Sequence, residues 1–255
     1  MEIQENDDES DKRFYKKTQF NNEINIDTSK IKKILYWAFL IQLILDLVVV
    51  LLTEAGQTNF YGFKKFLFDD EETIPTYFSA INLLFASILL SLIANFKSKV
   101  NDSFTVHWRI LSILFLLLSV DEIAGLHEMT IDPMVRVYHL SGYLRFPWVI
   151  LGIIFMAGFS LYYLKFLKAL PKPFMKGFFY SCLIFLIGSI GLETISAKIF
   201  ISLEQSPKDL IYNLVTTLEE SCEMLGIIMF INVLLSYLKS MNIATNFLFI
   251  YNENH

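Results

Sequence analysis

Six apolar stretches of about 20 residues, the length that crosses roughly 30 Å of hydrocarbon, constrain this chain more than any other feature. A soluble domain would not divide its apolar residues into several runs of this length. The composition agrees, since 54% of the 255 residues are hydrophobic and the mean hydropathy is +0.47. We therefore predict an all-α integral membrane bundle of six transmembrane helices. The predicted spans are Ile34–Leu52, Tyr77–Phe96, Val106–Gly125, Phe146–Leu164, Phe174–Ile195 and Leu214–Leu238.

The distribution of Lys and Arg predicts the orientation of the bundle, because short cytoplasmic segments carry the excess of these residues. Fourteen of them fall on the side of the two termini and six on the other side, when Arg109 inside the third span is left out. Both termini are therefore predicted to be cytoplasmic. Residues 1–30 are predicted to form a disordered charged tail, residues 31–240 the transmembrane domain, and residues 241–255 a short second tail.

Acidic side chains occur inside four of the predicted spans, and the alternating direction of the spans predicts that they meet at one level. Each acid lies toward the end of its span that faces away from the cytoplasm. The acids concerned are Asp46, Asp121, Glu122, Glu193, Glu219, Glu220 and Glu223, with Glu128 just beyond the third span. The sequence therefore predicts a carboxylate cluster, joined by His127, in the outer half of the bundle.

Helical spacing predicts which way these acids face. Asp121, Gly125 and Glu128 follow the spacing i, i+4 and i+7, which is one face of a helix, and Glu219 and Glu223 lie one turn apart. An ionised acid that faces lipid costs about 2.5 to 3.5 kcal/mol at the centre of a helix. We therefore expect the acids to face the interior of the bundle.

A divalent metal ion is the cofactor that these residue types fit best, because hard and borderline cations bind carboxylate oxygens together with one or a few imidazoles. Glu122 and His127 are then predicted to be the catalytic residues that transfer protons. The predicted metal ligands are Asp121, Glu193, Glu219 and Glu223.

A structural explanation of the same residues stays open. Acids near a helix N-terminus are stabilised by the helix dipole, which accounts for Glu219 and Glu220 without any ligand. His127 and Glu128 could simply end the third span at the lipid headgroups. Asp46 is a single polar residue in its span, and such residues often serve to hold helices together.

Three classes of function remain compatible with the cluster. The first is a metal-dependent membrane enzyme that acts on a lipid-like substrate. The second is a channel or transporter for a cation or protons. The third is a membrane assembly protein without chemistry of its own. Membrane lipids are the expected partners, and the net charge of −5 without a basic stripe argues against nucleic acid.

Two short motifs carry a resemblance to a known group of proteins. The first is S-x-D-E-x-x-x-x-H-E, from Ser119 to Glu128, and the second is E-E-x-x-E-M-x-G, from Glu219 to Gly226. Together they resemble a family of small uncharacterised bacterial multi-pass membrane proteins. The resemblance implies a protein of the bacterial inner (plasma) membrane and supports the candidate residues, but it implies no reaction.

Overall fold

The computed structural model describes residues 27–57, 62–70, 72–127, 129, 131–139, 148–203 and 209–241. In these residues the secondary structure is helical. The helices are α1 Thr28–Glu54, α2 Ile74–Lys99, α3 Thr105–Ala124, α4 Ile131–Tyr138, α5 Trp148–Ala169, α6 Lys172–Leu186, α7 Glu193–Ser202 and α8 Leu210–Ser240. A 3₁₀ turn, Phe63–Phe66, precedes α2, and a π-helical segment, Ile187–Leu192, joins α6 to α7.

The chain divides into two compact units, Thr28–Tyr237 and a second unit made of both chain ends. The first unit contains all the features discussed below. Most of the second unit, including the predicted tails at residues 1–26 and 242–255, lies outside the described residues.

Each of the six predicted spans coincides with helical structure, and five helical segments are long and apolar enough to cross a membrane. These are α1, α2, α5, the continuous run Lys172–Ser202, and α8. Helix α3 also has the length of a span, 20 residues, but it carries Arg109, Asp121 and Glu122. The chain therefore has the character of a multi-pass membrane protein, while the count of six spans and the cytoplasmic termini stay predictions.

Two helices form the centre of the bundle. In the most apolar 18-residue stretches of α2 and α8, 56% and 61% of the residues are buried. In the corresponding stretch of α5, only 17% are buried. Helix α1 runs antiparallel to α8, since Lys32 Nζ donates to Ser236 Oγ at 2.8 Å and Asn232 Nδ2 donates to the Tyr36 hydroxyl at 3.0 Å. Helix α8 is therefore the most buried of these helices, and α1 packs along it.

Small polar residues hold α2 and α3 together as a close hairpin. The Ser87 hydroxyl donates to the Ser112 carbonyl at 2.7 Å, and the Ser112 hydroxyl donates back to the Ser87 carbonyl at 2.9 Å. Farther along, the Ser119 hydroxyl donates to the Ala80 carbonyl at 2.8 Å. Small side chains let helix backbones approach closely. In lipid the hydrophobic effect does not drive helices together, so hydrogen bonds between helices contribute to their association. This hairpin fixes the position of the acidic end of α3.

Glycines allow α6 and α8 to pack with their backbones close together. A Cβ atom built on Gly226 of α8 would lie 2.8 Å from the backbone nitrogen of Phe185 and 2.9 Å from its Cα atom. A Cβ atom on Gly177 of α6 would lie 2.6 Å from Val233 Cγ2. No side chain fits in these spaces, so the glycines set the distance between the two helices.

Large aromatic rings fill the bundle on one side of its midpoint. Phe115 stacks on Phe230 with ring centroids 4.8 Å apart, and Trp108 stacks on Tyr237 at 5.2 Å. We call this group the aromatic layer. Its members are Trp108, Phe115, Phe166, Phe178, Phe230 and Tyr237, which contact one another in a continuous series.

Candidate functional site

A cavity of about 630 Å³ lies at the end of the bundle where α3 ends and α8 begins. Helices α3, α5, α7 and α8, the π segment and the chain that leads into α2 all contribute to its wall. Nine carboxyl side chains line it: Asp69, Asp70, Glu72, Asp121, Glu122, Glu193, Glu219, Glu220 and Glu223. His127 lines it too, and the described lining residues include neither Lys nor Arg. Its wall is therefore strongly biased toward negative charge.

The structure brings all six of the predicted site residues to this one cavity. Glu220, which we could also explain as a helix-end acid, lines it as well. Asp46 does not belong to the lining, and Glu128 lies outside the described residues. The six predicted residues are Asp121, Glu122, His127, Glu193, Glu219 and Glu223.

A tight turn after α3 returns His127 to Asp121. Gly125 ends the helix with φ of 55°, a left-handed conformation that glycine adopts without strain. The His127 N–H then donates to Asp121 Oδ1 at 3.0 Å, and His127 Nδ1 lies 2.8 Å from Asp121 Oδ2. A carboxylate partner keeps the proton of a neutral imidazole on Nδ1, so Nε2 is the basic nitrogen of that tautomer. This geometry is that of an oriented general base.

A second chain of contacts leads from His127 into the cluster of glutamates. The ring of His127 meets the ring of Trp148 edge to face, with centroids 5.1 Å apart. Trp148 Nε1 donates to Glu193 Oε1 at 3.3 Å, and the carboxyl group of Glu193 lies close to that of Glu219. Side chains from α3, α5, α7 and α8 are thus joined across the cavity.

Glu219 has an incomplete set of hydrogen bonds despite deep burial. Its side chain is only 6% exposed, and Oε2 is buried without a hydrogen-bond partner. A buried polar atom without a partner costs free energy, and such an atom in a native structure calls for an explanation. The carboxyl group of Glu122 lies near the Ser79 hydroxyl of α2. One carboxylate oxygen in the cavity is therefore available to a ligand.

A family model described as a domain of unknown function, DUF8692, matches residues 35–238 and so covers most of the chain. The chain belongs to the DUF8692 family. Both sequence motifs fall inside the matched region, and an uncharacterised family is what their resemblance implied, although a bacterial origin stays a prediction. No curated protein and no solved structure matches the chain.

The DUF8692 structure gives the predicted metal ligation no support. Among the residues described above, no three His, Cys, Asp or Glu side chains are grouped so that they could hold a metal ion. The predicted ligands share the cavity wall without converging on one point. Helical spacing identifies the face that a residue occupies, but it does not determine distances between residues on different helices. Metal binding by these four acids therefore stays a prediction.

The π segment explains part of the cavity shape in the DUF8692 chain. A Cβ atom on Gly188 would lie 2.7 Å from the Glu219 carbonyl oxygen and 2.8 Å from Glu223 Cγ, so this turn lies directly against α8. Ser189 within the widened turn and Glu193 directly after it both line the cavity. Single π turns inside α-helices occur often at functional sites, because the extra residue redirects side chains.

Sequence reasoning missed the polar lining residues just before α2 and at the start of α8. Asp69, Asp70 and Glu72 come from the segment before α2, and Tyr212 comes from the first turn of α8. The hydroxyl of Tyr212 is in hydrogen-bonding contact with Asp69. The signal that could have revealed this segment is the run DDEE at residues 69–72, which lies directly before a helix that enters the bundle.

Asp46 has a structural position that explains its burial in an apolar helix. Its side chain is 1% exposed, and Oδ1 accepts a hydrogen bond from the Phe68 N–H at 3.0 Å. Oδ2 accepts from the Thr217 hydroxyl at 2.7 Å. Asp46 therefore joins α1 to α8 and to the segment before α2, as a residue that holds helices together.

Proposed function

We propose that this chain is a membrane protein that binds a positively charged ligand in its acidic cavity. The observation that carries the proposal is the set of nine carboxyl groups around one cavity, without Lys or Arg among the described lining residues. Negative charges at this density repel one another, and a bound cation relieves the repulsion. The unpartnered Oε2 atom of Glu219 is a second, independent indication of a ligand.

The aromatic layer favours binding over conduction. Rings such as Phe115, Phe178 and Phe230 pack between the acidic cavity and the opposite end of the bundle, with centroids as close as 4.8 Å. Ion pathways through a membrane protein are lined by polar groups or water. The observed packing supports a cavity that a ligand enters and leaves from one part of the bundle.

Burial disfavours a purely structural role for the acids. Acids that only mark the end of a helix are expected to remain exposed to water. Glu219 is instead 6% exposed and faces an internal space. Charged groups inside a membrane protein are costly and generally functional.

The proposal predicts saturable cation binding that depends on the central glutamates. The protein in nanodiscs would be titrated with Mg²⁺, Ca²⁺, Zn²⁺ and methylammonium, and the midpoint of thermal unfolding would be followed. A ligand at a hundred times its Kd stabilises a protein by about 2.7 kcal/mol, so binding raises the midpoint. We expect at least one of these cations to bind wild type, and Glu219→Gln and Glu223→Gln to bind it at least tenfold more weakly.

The matched control is Glu54→Gln, because Glu54 is an exposed acid at the end of α1 that does not line the cavity. We expect its affinity to equal that of wild type. Elemental analysis of the purified proteins would show whether the bound cation is a metal. If none of the four cations produced a saturable shift, or if the glutamine variants bound as well as wild type, the proposal would be wrong.

The Asp121–His127 pair supports a second candidate function, an enzyme that acts on a lipid-like substrate. Asp121 Oδ2 lies 2.8 Å from His127 Nδ1, as it does where a carboxylate orients an imidazole that acts as a general base. Glu122 lies one residue away on the cavity wall and is the second candidate for proton transfer.

This enzyme hypothesis predicts turnover of a membrane lipid. Wild type in liposomes of a total lipid extract should convert one lipid class to a product that mass spectrometry detects. His127→Gln should abolish the conversion, and Asp121→Asn should slow it at least about a hundredfold, because general acid–base catalysis contributes factors of this size. Glu54→Gln should retain the wild-type rate. Undiminished conversion by His127→Gln would contradict the hypothesis.

A further inference from the structure

The cavity wall combines acidic and apolar side chains. The carboxyl groups of Glu193, Glu219, Glu220 and Glu223 come from α7 and α8. Helix α3 contributes Asp121 and Glu122 as well as apolar side chains, whereas the described lining residues of α5 include no acid. The apolar lining residues of these two helices are Leu114, Leu118, Ile123, Phe155 and Met156. We call the part of the wall formed by these five side chains the apolar side. A ligand that fills the space meets both this side and the carboxyl groups.

The apolar side of the cavity reaches the outer surface of the bundle. Ile123 of α3 is 55% exposed and Phe155 of α5 is 49% exposed, and both also line the cavity. Exposed apolar side chains on a helix inside a membrane face lipid. The cavity is thus bordered by residues that contact the hydrocarbon region directly.

Helix α5 is fixed to the bundle at both ends, since Val149 near its start is 4% exposed and Trp148 Nε1 donates to Glu193 Oε1. Tyr163 and Phe166 are 3% and 1% exposed, and the Tyr163 hydroxyl donates to the His107 carbonyl at 2.8 Å. Nearer its start, the inward positions Gly152 and Met156 line the cavity. The start of α5 therefore borders a space between itself and α3, where an apolar chain can lie.

We infer that the ligand is an amphiphile with an ammonium head group, which enters from the lipid between α3 and α5. Its head group is held by the glutamates around Glu219, whose Oε2 atom lacks a hydrogen-bond partner. An ammonium group donates up to three hydrogen bonds and matches a cluster of acceptors. Its apolar chain lies against Leu118, Phe155 and Met156. The volume of 630 Å³ falls in the range of about 300–1,000 Å³ that is typical of small-molecule sites.

This inference rests on the proposed cation binding and extends it to one substrate class. The same ammonium chemistry could come from a water-soluble amine or from a lipid-borne amphiphile. The two sources differ in whether the apolar side of the cavity contributes to binding, and the experiment therefore separates the head group from the chain.

The probe is dodecylammonium with a diazirine group in its chain, incorporated into phosphatidylcholine nanodiscs with the protein. After illumination, mass spectrometry would locate the labelled residues. We expect labels on cavity residues of α3 and α5, such as Leu118 and Met156. We also expect unlabelled dodecylammonium to compete at a concentration at least tenfold lower than methylammonium requires.

Gly152 offers a substitution that fills the apolar side and leaves every acid in place. A Cβ atom there would have its nearest neighbour, a carbon of the Trp148 ring, at an ordinary 3.7 Å. We expect Gly152→Leu to reduce labelling at least fivefold while methylammonium binding stays within twofold of wild type. Gly158→Leu is the matched control on the same helix, since a Cβ atom there meets nothing within 4 Å, and it should label as wild type does.

The outcomes separate this inference from the proposal beneath it. One outcome is that a cation binds while labels fall only on lipid-facing positions outside the cavity, such as Leu151 and Ile154. In that case the inference of an amphiphilic ligand is wrong, and the proposal of a cation site remains supported. The same conclusion follows if metal ions bind and methylammonium does not. If no cation binds at all, both are wrong. Labelling of the wild-type protein decides the inference even if Gly152→Leu fails to fold.

Discussion

Gly226→Ala is expected to lower the free energy of unfolding by about 3 kcal/mol, although alanine is ordinarily the better helix former. The added Cβ atom would lie 2.8 Å from the backbone nitrogen of Phe185 and 2.9 Å from its Cα atom. A backbone cannot rotate away as a flexible side chain can, so α6 and α8 must move apart. Denaturant unfolding of the protein in mixed micelles, followed by Trp fluorescence, would measure the loss.

The control for this substitution is Gly158→Ala, where the new methyl group meets nothing within 4 Å. Because alanine favours a helix more than glycine does, this variant should be as stable as wild type or more stable by up to about 1 kcal/mol. Both variants add one methyl group. Gly226→Ala is predicted to lower the free energy of unfolding, and Gly158→Ala to leave it unchanged or raise it. Equal stability of both variants would show that the distance between α6 and α8 relaxes without cost.

Asp46→Ala should destabilise the protein by about 3 kcal/mol, because it removes both acceptors of a buried junction. The Phe68 N–H would be left without its partner, whereas the Thr217 hydroxyl retains the Asn213 carbonyl at 2.8 Å. Asp46→Asn should cost less than about 1 kcal/mol. Its amide oxygen can accept from the Phe68 N–H, and its amide group can donate to the Thr217 hydroxyl, which then donates its one proton to the Asn213 carbonyl.

The measurement is the same unfolding experiment on the two variants, with cation titration as a second readout. Because Asp46 does not line the cavity, Asp46→Asn should bind cations as wild type does. If asparagine proved as damaging as alanine, the negative charge itself would be required, and the structural explanation of Asp46 would be incomplete.

The helices were predictable because the length and composition of an apolar run are local properties. The boundaries differ from the predictions where a helix begins before its apolar run, as at Thr28 before Ile34 and at Leu210 before Leu214. The level of the acids was predictable as well, since alternating helices fix the end of the bundle that each acid occupies. Asp121, Glu193 and Glu219 do line one cavity, while their position in the outer half of the bundle stays a prediction.

Contacts between distant parts of the chain were not predictable in the same way. The Trp148–Glu193 hydrogen bond and the Asp46–Phe68 hydrogen bond depend on how helices rotate and on the path of a connecting segment. The π turn at Ile187–Leu192 has no simple composition signal, and it changes which residues of the fifth span face inward. For the same reason, helical spacing suggested a set of metal ligands that the described residues do not assemble.

The aromatic layer has an electrical consequence for any cation that binds in the cavity. A transmembrane voltage falls mainly across the part of a protein that is dry and weakly polarisable, here the rings between Phe115 and Trp108. A cation that reaches Glu219 without passing these rings crosses only a small fraction of that voltage. Its equilibrium occupancy should therefore remain nearly the same in energised and de-energised membranes.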